Sequence, residues 1–304
     1  MSERNDPAAF LPTAFTVAQA RDAGVPRGRL RGASFAQPFH GVRVRGAVEA
    51  NSLSASCRAL APRLRPGQFF SHETALALHG VWMPEWPYRP LVHVSAYRPA
   101  REPRTHGVVG HRLQVREPAW THLDDLPVED PIRAWRQVGG LWRRGDIVAA
   151  ADFLISGTVP LATTAELRAE ITRMGDVRRG ILGRALHDVR AGVRSARETR
   201  LRLLLVEAGL PEPAVAWNLF DSRGTFVAEL DLAFPRYRVA VEYDGRVHAE
   251  DVAQFARDAD RWAAIRREGW AHERILAHHL DGDGRVAVGI ARGALLRSGW
   301  TPGR

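Results

Sequence analysis

The run FVAELDLAFPRYRVAVEYDGRVH, Phe226 to His248, decides how the last third of this chain folds. Two strand-forming stretches flank Pro235. Each alternates side chains with the period of two that places neighbours on opposite faces of a sheet. Glu229, Asp231 and Ala233 share one face of the first stretch, with Leu230, Leu232 and Phe234 on the other. In the second, Ala240, Glu242 and Asp244 lie opposite Val239, Val241 and Tyr243. A hairpin loop of Arg236 and Tyr237 sets Asp231 across from Glu242 and Glu229 across from Asp244. A one-residue slip would send these acids to opposite faces.

Directly opposed side chains have Cβ atoms about 5 Å apart, and like charges there destabilise a hairpin. Two compensations are open. A divalent cation such as Mg²⁺ takes oxygen ligands, commonly from one or two carboxylates with waters. Alternatively, arginine pairing draws on Arg236, Arg238, Arg246, Arg257 or Arg261, all nearby in sequence. His248, just beyond Gly245, is placed to orient water, accept a proton or complete a metal shell.

Outward from the hairpin, Ser195 caps an amphipathic helix, ARETRLRLLLVEAGL, followed by a strand AVAWNLF and a turn DSRG. On that helix Glu198, taken alone, reads as an i, i+4 partner of Arg202 on a solvent face. Downstream, EDVAQFARDADRWAAIRREGW makes an amphipathic helix with Phe255, Ala259 and Trp262 to one side, and AHERILAHH returns as a strand bearing Arg274. The segment DGDGR at Asp281 lacks the further oxygen ligands of a calcium loop and reads as a turn.

Near the start, Thr16 followed by Gln19 is a capping box, and Gly24 stops that helix after about two turns. Pro26 then opens a second short helix carrying Arg27, Arg29 and Arg31, and the β-like FHGVRVRG adds Arg43. Helix, glycine turn, basic helix and β-wing is the order of a winged helix-turn-helix, whose second helix enters a major groove. Between these ends, SHETALAL is helical with Ser71 as N-cap. LVHVSAYRP and GVVGHRLQV alternate like strands, and PIRAWRQVGG and GDIVAAADFLI are helices. His72, His79, His106 and His111 show no regular metal-ligand spacing and read as surface or core histidines; Trp82 and Trp86 read as a packing cluster. Thr163 to Arg200 is arginine-rich and helical, with breaks at Gly175, Gly180 and Gly192.

The 304 residues suggest two or three domains. No apolar run approaches the roughly 20 residues that span a bilayer. The start MSERNDPAAF has no secretory pattern, so a cytoplasmic protein without membrane partners is expected. A single cysteine, Cys57, excludes an intrachain disulfide framework and a thiolate zinc cluster. The formal charge is +9 and every one of the 43 basic residues is arginine. Up to Arg194 there are 27 arginines against 18 acids, and from Ser195 onward 16 against 16. Excess basic charge attracts phosphate backbones, so if the protein binds nucleic acid the first part is the better candidate for holding it; the alternative is a solvated arginine-rich surface.

With these residues in view, ELDLAFPRYRVAVEYDGRVH, RDADRWAAIRREGW and the Arg274 strand resemble the nuclease domains related to the very-short-patch mismatch repair endonuclease, within the PD-(D/E)XK superfamily. The resemblance covers roughly residues 195 to 279 and implies a mixed sheet flanked by helices. It implies Glu198 as a helical acid of the site, Asp231 as the central metal-binding aspartate, Glu242 and Asp244 as acids of the second strand, and His248 as the histidine beyond the glycine. The superfamily's usual lysine two residues after the second acid is Asp244 here. FTVAQARDAGVPRGRLRG, HGVRV, SHETALALHGV, EDPIRAWRQVGG and IVAAADFLI resemble, more loosely, proteins with an AbiEi-type antitoxin N-terminal domain. That implies a winged-helix module joined to a small α/β domain.

The expected molecule is therefore a multidomain α+β or α/β protein. It has a winged helix-turn-helix over 1–48, a small α/β domain over 49–160, a helical linker over 161–194 and an endonuclease-like domain over 195–304. The expected activity is hydrolysis of DNA phosphodiester bonds with Mg²⁺ or Mn²⁺ held by Asp231, Glu242 and Asp244, and with Glu198 or His248 assisting proton transfer. RNA is the less favoured substrate. The alternative is a non-catalytic DNA-binding regulator, with a toxin-antitoxin or defence-system partner.

Overall fold

The computed structural model describes residues 7–47, 49, 52–85, 91–114, 117–245 and 252–303. Tertiary contacts divide the chain into two compact units, Met1–Leu141 and Trp142–Arg304. Among the described residues the architecture is mixed α/β, with three sheets and ten α-helices. No helix among them is long and apolar enough to cross a membrane.

The first unit opens with β1 (Ala14–Thr16), α1 (Val17–Asp22), β2 (Phe35–Ala36) and β3 (Val42–Arg45). The strands form an antiparallel sheet in the order β1-β3-β2. The capping box is formed: Thr16 Oγ1 accepts the Gln19 amide at 3.1 Å, and Gln19 Oε1 accepts the Thr16 amide at 2.7 Å. Phe15, Ala20, Val25 and Leu30 bury together beneath it. The expected second helix is not α-helical. Arg29–Arg31 closes only a three-residue 3-10 turn, through bonds from the Arg29 amide to Pro26 and from the Gly32 amide to Arg29. Between Pro26 and Gly32 there are too few residues to offset the cost of nucleating a helix. Arg27, Arg29 and Arg31 are therefore exposed on a turn, not on a groove-reading helix.

Next come α2 (Leu53–Leu60), β4 (Gln68–Phe70), α3 (His72–Leu78), β5 (Val92–Tyr97), β6 (Val108–Leu113), β7 (Trp120–Leu123), β8 (Leu126–Glu129) and α4 (Pro131–Val138). They build a five-stranded mixed sheet in the order β6-β5-β4-β8-β7. Phe69, Phe70, Val94 and Val128 are among its buried strand residues, and Trp135 of α4 is buried as well. Asp130 accepts the Ile132 and Arg133 amides, and Pro131 fills the first turn, so α4 begins where the sequence places it. Ser71 occupies the N-cap position of α3, but its hydroxyl caps nothing. It accepts from Ser95 Oγ at 2.6 Å, while the His72 amide is taken by Gln137 Oε1 at 3.1 Å. Trp86 lies outside the described residues.

The second unit contains α5 (Arg144–Ile155), α6 (Thr164–Met174), α7 (Ile181–His187), α8 (Ala196–Glu207), β9 (Ala214–Phe220), β10 (Phe226–Phe234), β11 (Val239–Asp244), α9 (Val252–Arg267), β12 (Ala271–Leu276) and α10 (Arg285–Arg297). The region expected as a linker belongs to this unit. Its buried tie is Asp152 of α5, which accepts from Thr199 Oγ1 at 2.8 Å and pairs with Arg202 at 3.3 Å, both on α8. Arg202 is only 1% exposed and is not a solvent-face partner of Glu198.

The sheet runs β12-β11-β10-β9, with β9, β10 and β11 antiparallel and β12 parallel to β11. The β10–β11 pairs are Leu232 with Val241, Ala233 with Ala240 and Phe234 with Val239, which is the register the sequence predicts. The turn is a 3-10 turn, Pro235–Tyr237, closed by Arg238 in the left-handed region at φ +50°. Leu232, Phe234, Val239 and Val241 pack with Leu201 and Leu205 of α8 and with Ala291 and Leu295 of α10. On the other side Ala233 and Ala240 pack with Ile265 of α9 and Trp270. Leu230 joins this second cluster, against the simple alternation. Both faces of the hairpin are therefore covered near the turn, and the acids occupy the end away from it.

Candidate functional site

Glu198, Glu229, Asp231, Glu242, Asp244 and Asp258 line one cavity of about 520 Å³ together with Arg194, Arg261 and Arg274. Six carboxylates against three guanidiniums leave an excess of acid. The cavity forms where the β10–β11 ladder gives out: past Leu232 and Val241 the Tyr243 amide donates to Asp231 Oδ2 at 3.3 Å. Gly245 follows the acidic strand because space runs out; a Cβ there would fall 2.9 Å from the Tyr243 ring.

Arginine and histidine meet most of the acids. Glu242 pairs with Arg261 of α9. His272 Nε2 lies 2.8 Å from Glu242 Oε2, without the alignment of a hydrogen bond. Asp244 pairs with Arg274, whose guanidinium stacks 3.8 Å from the Trp262 ring centre. Glu229 pairs with Arg194. Glu198 is fixed at the start of α8, accepting from Ser195 Oγ and the Arg194 amide, each at 2.9 Å.

Asp231 differs from these. Among the described residues it has the Tyr243 amide but no ion pair. Burial, then the nearby Glu198 and Glu242 charges, push its pKa up to about 7, with Arg261 acting in the opposite sense. Burial also raises Glu198. A buried carboxylate beside like charges is what a bound cation relieves. Mg²⁺ or Mn²⁺ fits this donor set: all its side chains are oxygen donors, and Asp231 with Glu242 supplies the one or two carboxylates such an ion commonly takes. Asp231, Glu242 and Asp244 are not, however, drawn to within 4.8 Å of one another as three ligands.

The structure thus brings together Glu198, Asp231, Glu242 and Asp244 of the expected site, and His248 lies outside the described residues. Of the nearby arginines, Arg261 reaches the acids, whereas Arg236 stacks on Tyr237. Sequence reasoning missed Arg194 and His272. For His272 the signal was the parallel register, which sets Ala240 beside His272 and Glu242 beside Arg274. In the first unit Arg43 donates to the main-chain oxygens of Leu30 and Val42, at 2.7 and 2.8 Å, and so ties β3 to the basic turn.

Three histidines without regular spacing in the sequence gather in the first unit. His72, His111 and His93, the last not singled out in the sequence, offer nitrogens that lie within 4.8 Å of one another. Burial lowers the pKa of His72 to about 2 and of His111 to about 4, so both imidazoles are neutral at physiological pH.

No family model matches the chain. Two uncharacterized proteins of Mycobacterium tuberculosis, from strains CDC 1551 / Oshkosh and H37Rv, are each 32% identical to it over 99 residues. The match covers 32% of this chain and 36% of each relative, so the chain spans just over a third of their length.

Proposed function

We propose that the second unit is a metal-dependent phosphodiester hydrolase acting on DNA, and that the arginine-rich first unit holds the nucleic acid. The observation that carries this reading is the convergence of Glu198, Asp231, Glu242 and Asp244 from α8, β10 and β11 on one cavity. A cavity with twice as many carboxylates as guanidiniums repels a phosphodiester by itself. It accepts one only with a cation between them.

Asp231 and Glu242 hold the ion in this reading, with Asp244 beside them. When bound, a divalent ion polarises the scissile phosphate and lowers the pKa of a bound water. Arg274, set over Trp262, presents a fixed cation at the same wall for a phosphate oxygen. Arg261 holds Glu242 in place. The proton from the attacking water goes to Glu198 or His248. Arg27, Arg29 and Arg31 give the first unit an exposed basic turn for backbone phosphates.

The ion pairs Arg261–Glu242 and Arg274–Asp244 favour a second reading. They neutralise two acids internally, as a non-catalytic DNA-binding regulator or antitoxin with a scaffold domain requires. Cleavage of plasmid DNA with Mg²⁺ by wild type and Asp231→Ala separates the two. The nuclease reading expects nicked or linear product from wild type alone. Equal activity in both removes this site from the mechanism, and inactivity of both, with no Mg²⁺ or Mn²⁺ binding by calorimetry, supports the regulator. Matched RNA in the same assay ranks the two nucleic acids.

A further inference from the structure

The three histidines of the first unit come from separate elements. His72 stands at the junction of β4 and α3, His93 on β5 and His111 on β6. Parallel pairing of β5 with β6 sets His111 beside Ser95, two residues from His93, and the Ser71 amide bonds to the His93 carbonyl at 3.1 Å. His72 and His111 stack with ring centres 3.7 Å apart, and His93 and His111 lie 5.0 Å apart. His72 also has φ +54°, a left-handed backbone that costs a non-glycine residue about 1–3 kcal/mol and persists where the surroundings fix it.

The nitrogens that the three rings turn toward one another are the informative feature. His93 turns Nε2 to the Glu73 carboxylate at 3.3 Å, and its Nδ1 shares a hydrogen bond with His111 Nε2 at 2.9 Å, which an ion between the two nitrogens would replace. His72 engages Ser71 Oγ through Nδ1 at 3.0 Å, which leaves Nε2. Metal-binding histidines are held in this way, one nitrogen on a carboxylate or hydroxyl and the other on the ion. We infer that His72, His93 and His111 form a second metal site, for a zinc-class transition ion, with Glu73 orienting His93 from behind.

Three imidazoles suit Zn²⁺ and disfavour Mg²⁺ or Ca²⁺, which select oxygen. A tetrahedral zinc with bonds of 2.0–2.1 Å spaces its nitrogens about 3.3 Å apart. The present 2.9 Å contact is a few tenths of an ångström shorter than that spacing, and all three nitrogens lie within 4.8 Å of one another. The stacked His72 and His111 rings, 17° from parallel, must turn for both lone pairs to meet one ion, and His111 is half-buried on the edge strand β6. Three protein ligands leave the fourth position to water, the arrangement of reactive rather than purely structural zinc.

The test is Co²⁺ titration of the full chain, purified without a polyhistidine tag and stripped with chelator. Wild type is expected to develop visible d–d absorption saturating at one equivalent and displaced by Zn²⁺. His111→Asn and His93→Gln should abolish it, and Glu73→Gln should weaken binding about 10- to 100-fold. Asp231→Asn should leave it unchanged, which separates this site from the carboxylate cavity. Circular dichroism identifies any variant that fails to fold; if His93→Gln does, the half-buried His111→Asn decides. Absence of a saturable band in wild type, or an undiminished band in folded His111→Asn, overturns the proposal.

Discussion

Asp231 carries the tension between stability and function at the scale of the single residue. Its folded pKa of about 7 lies above the roughly 4 of an unfolded aspartate. The fold therefore binds that proton more tightly than the unfolded chain does. Stability falls as pH rises through the window between those values and is lowest above it. Asp231→Asn cannot ionise and keeps an acceptor for the Tyr243 amide. It should unfold later than wild type at pH 8, by up to about 4 kcal/mol, with the gap shrinking toward pH 5 at up to about 1.4 kcal/mol per unit. Denaturant titrations at both pH values measure this, and parallel curves would show that Asp231 is not strained. Asp231, Glu242 and Asp244 were legible in the sequence because a two-residue period and one turn place them. Which acids would find partners was not, since Arg194, Arg261 and Arg274 reach them from three other elements. The histidine cluster was invisible for the same reason: its members share no local spacing, and only the pairing of β5 with β6 and the β4–α3 junction gather them.

Local signals were reliable at the scale of the element where they close within a few residues. The Thr16 capping box, the Ser195 cap of α8 and the β10–β11 register all form as their residues imply. The basic helix after Pro26 did not, because the glycines that bracket it allow only a 3-10 turn. The β10–β11 turn offers a direct check. Arg238 adopts φ +50°, where a Cβ costs about 1 kcal/mol or more and glycine fits freely. The Arg238 carbonyl still accepts the Ala271 amide at 2.8 Å, and a glycine keeps that bond. Arg238→Gly should therefore stabilise the protein by about 0.5–1 kcal/mol, seen as a later thermal midpoint, provided the conformation is retained. A loss of stability would mean the guanidinium contributes more than the turn strain costs.

At the scale of the whole molecule, tertiary contacts divide the chain at Leu141–Trp142. Arginine outnumbers acid by 18 to 12 in residues 1–141 and by 25 to 22 in residues 142–304, so the excess is shared but is greater in the first unit. The sequence grouped α5 with the small α/β domain and read α6–α7 as a linker, whereas Asp152 ties α5 to α8. A fragment of residues 142–304 should unfold cooperatively, while one of residues 195–304 should not. The shorter piece leaves Arg202, 1% exposed, without Asp152, and breaking a buried pair costs about 3–5 kcal/mol. Cooperative unfolding of the 195–304 fragment would restore the later boundary. The central claim is that the acid cavity of the second unit takes a divalent cation. Crystals of the full chain grown with Mn²⁺ test it most directly, through the anomalous difference map. The account predicts a peak at the Asp231 carboxylate within reach of Glu242, lost in Asp231→Asn. A map empty there, with Glu242 and Asp244 still paired to Arg261 and Arg274, would contradict it.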